Sequence, residues 1–392
     1  MKTAAFYERF RLDLGLVQQA SFNPYYPVIG SGLEEELEIG GDHFIDLASN
    51  NYLGLANDER LKAACHEALD RYGASMCATP IASGYTDLYQ QLAGKLSRFT
   101  GVEASLIYPS CYQANNGLFP AIAGRDDVAL IDRNAHSSLI EGVKASGCKI
   151  WPFLHNDLDH LEKVLKKVGH YRQVFVVTES VFSTEGAIAP FAGIVDLCRK
   201  YGALPVIDDS HGIGVLGKNG RGILEHAGIR EYEGIYTASL GKALANTGGV
   251  VGGKKSLIDY LSYYSSHLVY STSILPVALA GIIKVLEIVE EEFPEISARL
   301  WSNTRQLARA LEEHGFSLCD SKTPIVSLRS GGSLDTFMLT REFYSNRILT
   351  TPFIYPSVPH NEGRIRMIAG ANLSGTTIDR VKRIISTMTV TV

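Results

Sequence analysis

From about residue 45 to 285 the chain alternates short apolar runs with stretches of helical periodicity, and this alternation limits the possible folds more than any other feature. The runs are Ser105–Tyr108, Val128–Asp132, Lys149–Phe153, Val174–Thr178, Leu204–Asp208, Gly234–Ala238 and Val250–Gly253. Short apolar runs bounded by turn residues and separated by helices read as strands of a largely parallel sheet covered on both faces. Several of them end on polar or ionisable residues: Asp132, Thr178, Asp208 and Ser239. Open α/β sheets bind ligands beyond the carboxyl ends of their strands, so a site is expected there.

After about residue 285 the pattern changes. Pro294 is expected to open a helix with apolar positions Ile296, Leu300, Leu307 and Leu311, stopped by Gly315. Short strands follow at Pro324–Leu328, Phe353–Tyr355 and Arg364–Ile368, then a final helix from Thr377. The reading is α/β with three parts: an N-terminal segment (1–45), a large domain (46–285) and a smaller α+β domain (286–392). The first part contains little core of its own and is expected to pack on the smaller domain or on a partner subunit.

Composition narrows the function classes. The net charge is −5 and no segment is strongly basic, which argues for a small-molecule protein and against a nucleic-acid partner. The six cysteines are scattered without a C-x-x-C pair, which speaks against a zinc ribbon or a disulfide framework and for a reducing compartment. No metal site is expected. The N-terminus lacks the pattern of a secretory signal, and the apolar stretch Pro276–Val289 is too short and too charged for a membrane span. A cytoplasmic location is expected.

Three segments could carry chemistry. IDDSHGIGVLG places Gly212, Gly214 and Gly217 in a G-x-G-x-x-G pattern, but four polar residues separate the strand from the first glycine and a loop follows. A dinucleotide site needs the glycines between strand and helix, so the match is weak. In TASLGKALANTGG, Lys242 lies just past a strand end. A lysine whose amine is held neutral forms imines with carbonyl cofactors, whereas an isolated lysine is ordinarily a solvated surface group. Asp208 favours the first reading, because a buried strand-end carboxylate calls for a cation such as a protonated pyridine nitrogen. His211 could hydrogen-bond a phenolic oxygen, and His136 offers a flat ring to stack on a pyridine, although either histidine could be purely structural. In YPSCYQANNG, the N–H groups of Ser110, Cys111 and Tyr112 at a helix start could bind a phosphate, with the Ser239 hydroxyl assisting, or form an ordinary cap. Together these residues point to pyridoxal 5′-phosphate (PLP) carried on Lys242.

The set resembles the α-oxoamine synthase family of fold-type I PLP enzymes from about residue 36 to the C-terminus. The similar stretches are SNNYLGLAN, YPSCYQANNG, DRNAHSSLIEG, TESVFSTEG, VIDDSHGIGVLGKNGRG, TASLGKA, HLVYSTSILP and GRIR. The resemblance implies Lys242 as the Schiff-base lysine, Asp208 on the pyridine nitrogen, His136 on the ring face and His211 at the phenolate. It implies Arg366 as the binder of a substrate carboxylate, assisted by Asn50. Thr272 would reach the cofactor phosphate of a neighbouring subunit, implying a homodimer with shared active sites. Pro80, Tyr89, Ala93 and Asn372 depart from the common family pattern of arginine, histidine, glutamate and histidine, and leave the acyl group open. The implied reaction condenses glycine, alanine or serine with an acyl-CoA or acyl-carrier thioester, giving an α-oxoamine or 2-amino-3-oxo acid and the free thiol. The alternatives are a PLP aminotransferase or lyase of the same fold, a non-catalytic partner subunit, which would typically lack the lysine, and a nucleotide-binding protein.

Overall fold

A computed structural model describes residues 6–7, 9–10 and 14–388. A hairpin of β1 (Glu36–Ile39) and β2 (Asp42–Asp46) comes first. Seven strands then build the main sheet: β3 (Ala104–Tyr108), β4 (Val128–Asp132), β5 (Lys149–Phe153), β6 (Val174–Glu179), β7 (Leu204–Asp208), β8 (Ile235–Ser239) and β9 (Gly249–Gly253). Each coincides with an expected apolar run to within one residue. Their order is β3-β9-β8-β7-β6-β4-β5. Val, Ile and Leu dominate because β4, β6 and β7 are buried along almost their whole length. Alternate side chains enter two cores: Leu130, Val176 and Ile207 on one face, and Ala129, Val177 and Val206 on the other.

The sheet is parallel except at β9, which runs antiparallel to both β8 and β3. The reversal follows from chain length. Only Leu240–Gly248 joins β8 to β9, too short for the crossover that a parallel neighbour requires. The chain therefore turns back at the carboxyl end of β8, and Lys242 lies in that turn.

The Pro276–Glu313 helix is continuous over 38 residues, so the expected helix start at Pro294 is corrected: the proline lies inside the helix. An interior proline costs about 3 kcal/mol through its missing N–H and a clash with the preceding turn. Here the carbonyl it leaves free belongs to the exposed Glu290, while Phe293 and Ile296 on either side are buried. Residue 285 thus falls within this helix. Its first half packs on the main sheet through Ile282 and Leu286, and its end on a second core through Leu307 and Leu311.

That second core gathers the C-terminal strands β10 (Ile325–Gly331), β11 (Ile348–Leu349), β12 (Thr351–Phe353) and β13 (Gly363–Ile368). The expected strand Phe353–Tyr355 is corrected to Thr351–Phe353; Pro356 disfavours its extension. β10, β13 and β12 form an antiparallel sheet, whereas β11 pairs in parallel with β2. The N-terminal hairpin is thereby joined to the C-terminal elements, with Ile45 and Leu47 in their core. The last helix runs Gly375–Thr387, capped by the Ser374 hydroxyl. All six cysteines are free. Among the described residues, no helix is long and apolar enough to cross a membrane.

One close approach fixes how the site is built. A Cβ on Gly249, the first residue of β9, would collide with Cys111 at the start of the Cys111–Ile122 helix. Overpacking of this kind costs about 1–3 kcal/mol. Gly249→Ala is expected to lower the unfolding free energy by that amount in urea titrations; an unchanged midpoint would show that the helix start can retreat freely.

Candidate active site

The carboxyl ends of β6, β7 and β8 converge with the start of the Cys111–Ile122 helix. Asp208 ends β7 and stands in register with Glu179 at the end of β6. Both carboxylates are buried. Asp208 Oδ2 accepts from Asn115 Nδ2 at 2.7 Å and lies 3.8 Å from the Cys111 thiol, while Oδ1 accepts the Ser210 N–H at 3.0 Å. None of these partners is a cation. Glu179 accepts the backbone N–H of His136 at 2.6 Å. Burial first, then the charge of Asp208, pushes the Glu179 carboxyl well above its ordinary range.

Lys242 faces this pair. Burial lowers its amine below the ordinary lysine value; Asp208, Cys111 and Glu179 pull it back up, and Arg366 pushes it down again. His211 is buried, and its Nδ1 lies 2.7 Å from the Tyr52 hydroxyl. Desolvation and the charges of Lys242 and Arg366 hold its imidazole well below the usual histidine range, hence neutral. His136 caps the Ser137–Ser146 helix, its Nδ1 2.8 Å from the Ser138 hydroxyl, and its ring remains exposed.

At the helix start, Ser110 Oγ is occupied as the cap, accepting the Gln113 N–H at 3.1 Å. The first-turn N–H groups of Cys111 and Tyr112 have no partner within the helix and remain suited to an anion. The Tyr112 side chain leaves the site for Glu141. Ser239 Oγ accepts the Gly241 N–H at 3.2 Å, which frees its own proton for donation. Thr272 is exposed, on a loop where Ser271 accepts a hydrogen bond from Gln113 at 3.2 Å.

Arg366 arrives from β13. It is 7 % exposed, its Nη1 donates to the Ser183 carbonyl at 3.2 Å, and its Nε has no partner among the described residues. The guanidinium carbon stands 5.1 Å from the centre of the Phe353 ring. The buried Oδ1 of Asn50 likewise has no partner. Buried donors and acceptors left open cost free energy unless something else fills them.

The glycines at 212, 214 and 217 lie in turns, and the next helix begins only at Ile223, so no helix opens on them as a dinucleotide site requires. Of the departing positions, Tyr89 is buried and accepts the Ile274 N–H at 2.9 Å. Sequence reasoning missed Glu179, Tyr52, Asn115 and Ser138. Asn115 left one signal: it follows Cys111 by four residues and so shares its helix face.

The profile of the aminotransferase class I and II family matches residues 42–385. The 8-amino-7-oxononanoate synthase of Symbiobacterium thermophilum is 38% identical over 85% of each chain. The 2-amino-3-ketobutyrate coenzyme A ligase of Escherichia coli is 35% identical over 92% of each. The chain belongs to the α-oxoamine synthases. In fold, this synthase matches the serine palmitoyltransferase of Sphingomonas wittichii with a TM-score of 0.91, over 98% of this chain and 96% of the other at 24% identity. It has the fold-type I architecture, and it is a PLP-dependent acyltransferase. Its residues fit the cofactor. Asp208 is a buried carboxylate without a cation, Lys242 is a desolvated amine, and the helix start at Cys111 presents unused N–H donors.

Behind Asp208, the synthase buries a further carboxyl. Asp209 accepts the Ile223 N–H at 3.0 Å and the Tyr236 hydroxyl at 2.9 Å, and burial raises it to about 7. A carboxyl raised on folding keeps its proton in the folded state between about pH 4 and about 7 while the unfolded chain has released it. Stability therefore falls as pH rises through that window. In Asp209→Asn this proton difference is removed. Its unfolding free energy relative to the parent should rise by about 1.4 kcal/mol per pH unit across the window in urea titrations, and stay constant above it. A pH-independent difference would show that Asp209 is ionised in the folded protein.

Proposed function

We propose that this enzyme joins the α-carbon of glycine, alanine or serine to the acyl carbon of an acyl-CoA, releasing CoA and leaving an amine beside a ketone. The observation that carries this reading is Arg366: a buried guanidinium that meets one neutral carbonyl, leaves Nε open and lies within electrostatic reach of Lys242. A planar fork with open donors suits a carboxylate. The names of the two relatives, an amino-oxononanoate synthase and an aminoketobutyrate ligase, describe the same placement of amine and ketone.

Bound PLP supplies a carbonyl that captures the amine and a ring that accepts the electron pair left when a substituent departs from the α-carbon. Lys242 would hold the cofactor and would take the α-proton of the substrate on Nζ, where burial lowers the basicity of the amine. Asp208 keeps a proton on the ring nitrogen. His136 covers the ring face, and His211, braced by Tyr52, serves the ring oxygen. Cys111, Tyr112, Ser110 and Ser239 surround the phosphate. Arg366 and Asn50 hold the substrate carboxylate, which orients the α-proton toward Lys242. The carbon–carbon bond then forms at the thioester carbonyl as the thiolate leaves and is protonated. The exposure of Thr272 supports a homodimer in which it reaches the partner's phosphate site, and an acyl-carrier protein could present the same thioester.

The test supplies glycine, alanine and L-serine in turn with short and long acyl-CoA, and follows free thiol together with the visible spectrum. The expected result is thiol release with one amino acid, which also shifts the spectrum. Conversion of the amino acid without any thioester would instead identify an aminotransferase or lyase. Lys242→Ala should abolish turnover, and full activity in that variant would overturn the scheme. Arg366→Ala should raise KM for the amino acid by about 100-fold while PLP still binds; an unchanged KM would remove Arg366 from the carboxylate.

A further inference from the structure

The residue expected on the face of the cofactor ring and the residue expected at its nitrogen are wired together inside the protein. Asn115 is fully buried, and its Nδ2 donates to Asp208 Oδ2 at 2.7 Å and to Ser138 Oγ at 3.0 Å, with a looser approach of 3.7 Å to the Cys111 sulphur. Ser138, also buried, completes the chain to His136 Nδ1 at 2.8 Å. The meeting of Asn115 with Ser138 follows from helix packing. Gly142 faces the backbone carbonyl of Asn115 so closely that a Cβ would collide with it, and Ser138 stands one turn before Gly142 on the same face.

The donors along this relay are few. An amide nitrogen has two hydrogens, and Asn115 gives one to Asp208 and one to Ser138. Ser138 Oγ, already accepting from the amide, has its own proton left, and among the described residues the other group it meets is His136 Nδ1. The Ser138 backbone N–H also points to that nitrogen, at 3.3 Å. Nδ1 therefore accepts, and the ring proton belongs on Nε2. At the other end Asp208 Oδ2 accepts from the amide. The groups facing His136 are Asp208, Lys242 and Glu141, with Glu179 on its backbone N–H.

The arrangement also carries a cost that packing does not explain. Asn115 Oδ1 is buried with no partner among the described residues. An apolar side chain of similar size would avoid that loss, so the amide is kept for what its nitrogen does.

We propose that Asn115 and Ser138 are positioning residues that hold His136 as the Nε2-protonated neutral ring and Asp208 as a pure acceptor. The inference deepens the proposed function and rests on the placement of Asp208 and His136 at the cofactor. A neutral ring can lie on a protonated pyridine without charge repulsion, and an ionised Asp208 is what keeps that pyridine protonated. One relay thus prepares the face and the nitrogen of the ring before the cofactor arrives.

The tautomer is read directly, without turnover, by 15N NMR of the histidine-labelled full-length protein, with His136 signals identified by their loss in His136→Gln. The expected parental pattern is a bare Nδ1 and a protonated Nε2. Ser138→Ala should move Nδ1 toward the protonated position, and Ser138→Thr, which keeps the hydroxyl, should restore the parental pattern. Asn115→Leu should weaken PLP binding about tenfold in equilibrium dialysis, as Asp208 loses its strongest donor. A parental His136 protonated on Nδ1, or an unmoved tautomer in Ser138→Ala, overturns the proposal even if Asn115→Leu fails to fold. Failure of the catalytic scheme would show separately, as full turnover in Lys242→Ala.

Discussion

A carboxylate buried beside another carboxyl, with no cation in contact, is the constraint around which this protein is organised. Taking an ion out of water costs several kcal/mol even after relaxation. Asp208 is compensated by an amide, a backbone N–H and a thiol, which satisfy its oxygens without neutralising its charge. Glu179, in register on the next strand, yields, its carboxyl pushed well above the ordinary range by burial and by the charge of Asp208. Lys242 faces the pair from the turn after β8, and Arg366, from β13, opposes its protonation. The site is thus poised electrostatically: a negative centre, a weakened base and an open guanidinium, each unsatisfied in a way that a cationic ring and an anionic substrate would relieve.

Much of this was legible in the sequence because parallel strands buried on both faces, such as β4, β6 and β7, must be continuously apolar and so stand out as runs. The reversal of β9 was less visible, since strand direction is set by the length of a connection and not by the strand's composition. The same short connection carries Lys242, which was recognised through its partners and not through its surroundings. Pro294 misled because an interior proline is normally excluded from helices, and the burial that outweighs it depends on two cores that only the fold brings together. Glu179 was missed by one residue: the expected run stopped at Thr178, and a carboxyl inside a sheet is unexpected until its neighbour is known. Asn115 and Ser138 were hidden for another reason. Their hydrogen bonds cross between two helices, and the glycine that permits the approach looks like any other.

The resemblance to a family and the physical reading of the residues rest on different foundations here, and they converge on the same site. Composition argued against a nucleic-acid partner, strand ends pointed to the ligand region, and a buried charge called for a counter-charge. Family motifs then attached roles to particular atoms. Where the chain departs from the common pattern, as at Tyr89, the structure shows a local substitute: a buried phenol that receives a backbone N–H from Ile274.

The long Pro276–Glu313 helix ties these pieces mechanically. One half is part of the core beneath the main sheet and the other half part of the core beneath β13. Neither core can melt without stripping the shared rod of half its cover, and Arg366 reaches across to Ser183 as a second tie. Local opening of either core thereby disturbs the other, so Lys242 beside one and Arg366 beside the other remain registered to each other through thermal fluctuation.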